Sequence, residues 1–304
     1  MNIAPYSHKE KMNTETLKIF CTVAAELNIT RAAARLGRVP SNITTRIQQL
    51  ESNLGELLFI RQNKRLELSE AGRQFLDYAH RLLALEEEAR HVISGGREGG
   101  QLRIGSMEST AACRLPIPLA QFHQQNPNTK LLLRTGSSLS LLEQVNSGKL
   151  DCAFVALPSA LYEPNQLSQM GIKTEVIWQE ELQLLLPEHE HSATIVNQVK
   201  TRCLAAFAQG CSYRNIAEQW LNIPASFDWN VQEMNSYHAM VACVTAGSCV
   251  ALLPKKLIES MPVSSLKLGR ITVTHCDTLL IYRENYHVPA FSAFKACISA
   301  SSHD

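Results

Sequence analysis

A chain of 304 residues, 45% hydrophobic and 19% charged, holds enough apolar material for two or three folded modules, which excludes a disordered or fibrous protein. Its net charge of +1 excludes a cationic surface over the whole chain, although residues 12 to 73 carry nine Lys and Arg against six Asp and Glu. Nine cysteines, an odd number with no C-x-x-C among them, exclude a disulfide framework and a zinc ribbon and predict reduced thiols in a cytoplasmic protein.

The opening "MNIAPYSHKEKMN" has no apolar leader and no run of 18 apolar residues follows, so neither export nor membrane insertion is expected. Residues 1 to 11 read as a disordered extension. From Thr14 to Leu27, the residues Leu17, Phe20, Val23, Ala24 and Leu27 recur every three or four positions and predict a first helix. Thr30 is the expected N-cap of a short second helix, Arg31 to Leu36, whose Ala32, Ala33 and Ala34 allow another backbone close. Gly37 ends it. Pro40 suits the first turn of a third helix, in which Ile43, Ile47, Leu50 and Leu54 are expected to face inward.

The outward residues of that helix, Ser41, Asn42, Thr44, Thr45, Arg46, Gln48 and Gln49, are short hydrogen-bonding groups, unlike the Glu and Lys mixture that usually solvates a helix. Two helices around a tight Gly-containing turn, the second rich in amides and hydroxyls, fit a helix-turn-helix reading the major groove; the alternative is a solvated helix in a three-helix bundle. Ser41, Asn42 and Thr45 are the candidates for base edges and Arg46 for a phosphate, on a surface that also takes in Thr30, Arg31, Pro40 and Thr44. "LFIRQNKRLELSEAG", residues 58 to 72, places Gln62 to Arg65 between two short alternating pieces, as in a hairpin wing. Arg61, Lys64 and Arg65 would then reach phosphates. Ser69 caps a predicted helix from Glu70 to about Ile93. Its stripe of Phe75, Leu76, Ala79, Leu82, Leu83, Leu85 and Ala89 is wider than one core contact needs and points to dimerisation, with packing onto its own chain as the alternative.

"AAARL", the segment from Ile43 to "QQLE", "LGELLFIR" and "LSEAG" together resemble, in order and spacing, the N-terminal domain of LysR-type transcriptional regulators. One departure is local: where that family commonly carries Ser-Gln at the start of the recognition helix, this chain has Val39-Pro40, so the family's base preferences do not transfer. "SGGREGG", residues 94 to 100, reads as a flexible boundary. After it, strand-like runs ("LRIG", "KLLLRTG", "LDCAFVAL", "VIWQEELQLLLP", "CVALLP", "TLLIYR") alternate with helical ones and predict βαβ units with a mostly parallel sheet. "SGKLDCAFVALP" and "MVACVTAGSCVALLP" resemble the effector-binding domain of the same regulators.

The resemblance implies an α+β multidomain chain: a winged helix-turn-helix over 12–69, a linker helix for dimerisation and a hinge over 70–97, and an α/β effector domain over 98–304. Two Rossmann-like lobes resembling periplasmic binding proteins would flank a cleft, lobe I about 98–157 and 276–304, lobe II about 158–275, with crossings near 157 and 276. It also implies double-stranded DNA, a small-molecule effector and RNA polymerase as partners, assembly as a homodimer or homotetramer, and no cofactor or metal. Effector binding would change dimer geometry on DNA.

Because open α/β sheets bind ligands beyond the C-terminal ends of their strands, the candidate effector residues are Ser106, Glu108, Ser109 and Thr110, the polar turn of Thr135, Gly136, Ser137 and Ser138, and the helix start of Cys211, Ser212, Tyr213 and Arg214. Tyr237 and His238 would converge from the same lobe as the last four, without a helix-start argument. Glu108 there would favour an amine over a carboxylate, the alternative being that it complements its helix N-terminus or faces solvent. Segments "MESTAACRLP", "CSYR" and "YHAMVACVTAG" resemble the putrescine-utilisation regulators, in line with an amine. "GCSYR" sets Cys211 at a helix start with Arg214 one turn on, which predicts a lowered thiol pKa and resembles the oxidant-sensing branch of the family; an ordinary pocket-wall cysteine is the alternative.

No nucleotide-binding, nucleophile-elbow or H-E-x-x-H motif occurs, so no enzyme is expected, and "HEH" at 189 to 191 reads as a solvated turn rather than a metal site. The competing classes are a solute-binding protein and a protein-interaction module without DNA binding.

Overall fold

The computed structural model describes residues 12–62, 65–94, 100–157, 164–226, 228–261 and 267–301. It divides into two compact units, the first up to Ile93 together with Ser147–Lys149, the second Ser94–Asn146 with Leu150–Asp304. The expected extension over 1–11, most of the "SGGREGG" boundary and Lys64 lie outside the described residues.

In the first unit, helix α1 (Thr14–Glu26) is capped by Asn13, whose Oδ1 accepts from the Thr16 N–H at 2.9 Å. Helix α2 (Ile29–Leu36) starts earlier than expected, because Asn28 and not Thr30 is its cap: Asn28 Oδ1 accepts from the Arg31 N–H at 3.0 Å. Gly37 closes α2 at φ 63, a left-handed conformation that glycine adopts without a Cβ clash. Helix α3 (Pro40–Leu54) has its proline in the first turn, as expected. Ile43, Ile47 and Leu50 are buried, whereas Leu54, expected to face inward, is 40% exposed one residue before the helix-ending Gly55.

Strands β1 (Phe59–Gln62) and β2 (Arg65–Leu68) pair antiparallel as the wing. Glu51 of α3 fastens it, its Oε1 accepting from the N–H groups of Leu58 at 2.8 Å and Phe59 at 3.0 Å. Helix α4 (Glu70–Ser94) is capped by Ser69, whose Oγ accepts from the Gly72 N–H at 2.9 Å. Its apolar residues fall on two faces rather than one. Phe75, Leu76, Ala79 and Leu83 pack on the core around Phe20, while Tyr78, Leu82, Leu85 and Ala89 are exposed.

The second unit is built on strands β3 (Gln101–Ser106), β4 (Lys130–Thr135), β5 (Cys152–Val155), β6 (Ile172–Leu186), β7 (Cys203–Ala206), β8 (Asn230–Glu233), β9 (Ala251–Pro254) and β10 (Gly269–Arg283). Helices α5 (Glu108–Cys113), α6 (Pro116–Gln125), α7 (Ser138–Asn146), α8 (Pro164–Gln169), α9 (Ser212–Trp220), α10 (Tyr237–Thr245), α11 (Lys255–Ser260) and α12 (Pro289–Ser301) connect them. Six strands form one sheet in the order β4-β3-β5-β10-β6-β9, and β7 and β8 pair parallel beside it.

The expectation of a mostly parallel sheet is corrected. Only β3 with β4 and β5 is parallel there; β10 runs antiparallel to both β5 and β6, and β6 to β9. The returning strand β10 inserts between β5 and β6, which no local alternation of strand and helix announces. Both β6 and β10 are 15 residues long and serve two cores. Trp178 and Leu280 join the core of Phe122, Phe154 and Phe294 in lobe I, while Leu182 and Ile271 join that of Leu204, Val250 and Leu252 in lobe II. The expected passage near 157 therefore falls within β6, between Trp178 and Leu182, because Leu167 of α8 and Ile172 still pack on the lobe I helix α7. In β10 the register shifts between Thr278 and Leu279 as the strand passes from one core to the other.

Candidate functional site

On the first unit, α2 and α3 present one polar surface. Ser41, Thr44, Thr45, Gln48 and Gln49 are exposed, and Asn42 and Arg46 are half-buried. The Thr44 hydroxyl donates to Pro40 O at 3.1 Å, which occupies its hydrogen. Asn42 Oδ1 is covered and has no partner among the described residues. Thr30 and Pro40 are exposed, and Arg31 donates to Glu26 O at 2.5 Å while pairing with its carboxylate at 3.5 Å. Arg61 and Arg65 stand exposed on the wing.

On the second unit, a cavity of about 350 Å³ opens where the ends of β3 and β4 face the starts of α9 and α10. Lobe I contributes Met107, Glu108 and the turn from Thr135 to Ser138, with Ser140; lobe II contributes Phe207 to Gln209, Cys211 to Tyr213, Asn235 and Tyr237. Among the described residues Glu108 is the one charged side chain lining it. Phe207 and Tyr237 stack edge to face, with centroids 4.8 Å apart. Burial pushes the phenols of Tyr213 and Tyr237 well above their ordinary range, so both remain neutral donors. The Tyr213 hydroxyl is buried with no partner in hydrogen-bonding geometry among the described residues, although Ser109 lies beside it.

Of the expected effector residues, the cavity brings together Glu108, Thr135, Gly136, Ser137, Cys211, Ser212, Tyr213 and Tyr237. Five do not line it. Ser106 is buried and donates to Met107 O at 2.9 Å; Ser109 and Thr110 turn into the protein on α5; Arg214 turns away; His238 is exposed on α10. Ser138, the end of the polar turn read from the sequence, lines it too; the residues that sequence reasoning missed, Met107, Ser140, Phe207, Ala208, Gln209 and Asn235, lie mostly in turns without periodicity.

The expected activation of Cys211 is corrected. Burial pushes its thiol above the ordinary range, outweighing the backbone N–H groups of Arg214 and Tyr213 that favour the thiolate. The Arg214 guanidinium is committed elsewhere, to Glu218 at 2.7 Å and Glu233 at 2.6 Å. The "HEH" turn is corrected in part: Glu190 is buried, accepting from the N–H groups of Lys200 at 2.9 Å and Thr201 at 2.8 Å.

Two family models match this chain: the bacterial regulatory helix-turn-helix of the lysR family over residues 14–73, and the LysR substrate binding domain over 95–302. The chain belongs to the LysR family. It is 36% identical over 251 residues to the uncharacterised HTH-type transcriptional regulator YusT of Bacillus subtilis, covering 82% of this chain and 81% of that one. To the HTH-type transcriptional regulator GltR of the same organism it is 32% identical over 292 residues, covering 93% and 95%. Among solved structures, a full-length OxyR variant from Pseudomonas aeruginosa shares the fold at a TM-score of 0.71 and 20% identity, covering 96% of each chain. Full-length CbnR in complex with its target DNA follows at 0.65 and 23%, covering 95% and 100%.

The chain is thus a LysR-type transcription regulator that binds DNA through its helix-turn-helix and carries an effector-binding domain. Among the described residues no helix is long and apolar enough to cross a membrane.

Proposed function

We propose that this LysR regulator answers to a small amine held in the lobe cavity. The observation that carries this reading is the charge of the wall: among the described residues Glu108 is its single charged side chain, and Phe207, Tyr213 and Tyr237 line the same cavity. A carboxylate with aromatic faces suits a cation, through Coulomb attraction and the ring quadrupole. A carboxylate ligand would meet Glu108 with no lysine or arginine among the described residues of the wall to offset it. Hydroxyls of Ser137 and Ser140, with the amides of Gln209 and Asn235, would accept or donate around the ammonium and its chain.

The test is a thermal melt of the full-length protein with putrescine and, separately, succinate, each repeated on Glu108→Gln. Ligand at about 100 times its dissociation constant adds roughly 2.7 kcal/mol, a rise of several degrees in a domain of this size. Putrescine is expected to raise the wild-type melting temperature and to lose that effect in Glu108→Gln. A rise with succinate alone would discard the amine.

At the DNA end, Ser41, Asn42 and Thr45 are assigned to base edges, and Arg46, Arg61, Lys64 and Arg65 to phosphates, with Thr30, Arg31, Pro40 and Thr44 completing the surface. Asn42→Ala should relax sequence preference, while Arg61→Ala should weaken all duplexes about equally. Uniform losses for Asn42→Ala across duplexes would remove it from the base-reading set. The regulator would act in the cytoplasm with its DNA, as a homodimer or a homotetramer joined along α4, with RNA polymerase as the partner that reads its output.

A further inference from the structure

Three thiols gather in lobe II, none of them lining the cavity. Cys203 opens β7, Cys249 precedes β9, and Cys243 of α10 lies within hydrogen-bonding reach of Cys249. Leu204 and Val250 form a parallel bridge, with the Val250 N–H donating to Cys203 O at 2.8 Å and the Ala205 N–H to Val250 O at 2.8 Å. Cys203 and Cys249 therefore stand side by side on neighbouring segments. Strands bonded in this way run about 4.8 Å apart, inside the roughly 4.4–6.8 Å separation of Cα atoms that a disulfide spans. Their side chains already meet, the Cys249 thiol donating to Cys203 Sγ at 3.3 Å.

We propose that Cys203 and Cys249 form an oxidisable dithiol, closed to an intrachain disulfide by hydrogen peroxide, as a modification site separate from Cys211 and from the effector cavity. Peroxide transfers one oxygen to the Cys203 sulfur, giving a sulfenic acid and one water. The Cys249 sulfur then attacks that sulfur, the S–S bond forms, and the hydroxyl leaves with the Cys249 proton as a second water. Two thiols lose two electrons; one peroxide gains them.

Exposure sets the order of the two steps. Cys203 is half-buried and Cys249 fully buried, so the oxidant meets Cys203 first. Burial, and then the neighbouring Cys203, hold the Cys249 thiol above its ordinary range, so it stays protonated until a sulfenic acid forms beside it. Metal binding fits the pair less well. Among the described residues no three His, Cys, Asp or Glu side chains converge to hold an ion, and sulfurs 3.3 Å apart sit closer than the roughly 3.8 Å that tetrahedral bonds of about 2.3 Å require.

The bond would tie together two segments that frame the cavity. Strand β7 runs directly into Phe207 to Gln209, and α10, which ends just before Cys249, begins at Tyr237. The two cysteines are 46 residues apart in sequence, so the bond closes a long loop of the unfolded chain.

The experiment treats reduced full-length protein with peroxide, removes the excess, denatures it, alkylates the free thiols and counts them by mass. The nine thiols are expected to fall by two, with loss of two hydrogens and no added oxygen. Oxidised protein should also melt several degrees higher, and dithiothreitol should reverse this. Cys203→Ser should keep all eight remaining thiols and Cys249→Ser should lose one at most, as a Cys203 sulfenic acid that adds one oxygen and forms no disulfide, whereas Cys211→Ser and Cys243→Ser should still lose two. Cys203 is half-buried, so Cys203→Ser carries the test even where the buried Cys249→Ser fails to fold. Loss of two thiols in Cys203→Ser, protection by Cys211→Ser or Cys243→Ser, or addition of oxygen to the wild type without loss of a thiol pair would each overturn the proposal.

Discussion

Glu190 shows how a charged side chain becomes a structural part. Its carboxylate accepts from the Thr201 hydroxyl and from two main-chain N–H groups, holding the turn after β6 against the segment that leads into β7. Burial raises its pKa, but the Thr201 hydroxyl and the Lys200 and Thr201 N–H groups lower it by more, and the net shift is downward. A lowered folded pKa gives stability that is complete above the unfolded value of about 4.3 and is lost as pH falls through the folded one. Glu190→Gln should therefore cost roughly 1–3 kcal/mol near neutral pH, read from urea midpoints, and the gap to wild type should narrow near pH 4. A gap that does not narrow would mean that the charge contributes nothing. Single residues were also where sequence reasoning slipped. Asn28 and Thr30 can each cap a helix, and only the backbone decides that Ile29 already belongs to α2. At Cys211 the helix start and Arg214 were legible, whereas the burial that overrides them and the acidic partners that occupy Arg214 come from segments distant in sequence.

Elements were read best where one face meets one core. Helices α1, α3 and α4 carry their periodicity in consecutive residues, and the Pro40 and Ser69 boundaries were legible because each satisfies a local backbone need. Strand β10 was seen only as its last six residues, because its first half alternates exposed polar groups and its partners lie far away in the chain. Helix α4 is the case with a consequence. Its exposed Tyr78, Leu82, Leu85, Ala89 and Val92 step by 4, 3, 4 and 3, an average of 3.5 that matches a coiled-coil seam. Leu85 is 61% exposed, so replacing it disturbs no contact within its own core. Leu85→Glu should leave the helical content unchanged and move the full-length protein to half its assembled mass or less in sedimentation. Retention of the full mass would place the dimer contact elsewhere.

At the scale of the molecule, a DNA-reading unit and an effector unit share one chain, and their coupling is a free energy that must work in both directions. If putrescine changes the affinity for an operator duplex by some factor, that duplex must change the affinity for putrescine by the same factor, typically about 5- to 150-fold in coupled proteins. A duplex selected from a random library allows both to be measured, by anisotropy with and without putrescine and by calorimetry with and without duplex. The two ratios are expected to agree. Glu108→Gln should bring both to one while leaving DNA affinity without putrescine unchanged, because the residue lies on the cavity and not on the helix-turn-helix. Arg61→Ala should do the reverse: it should weaken DNA binding with and without putrescine alike, lower the slope of log affinity against log salt by about one, and leave the coupling ratio intact. A ratio that moves with Arg61→Ala would mean that the wing takes part in the switch itself and does more than hold phosphates.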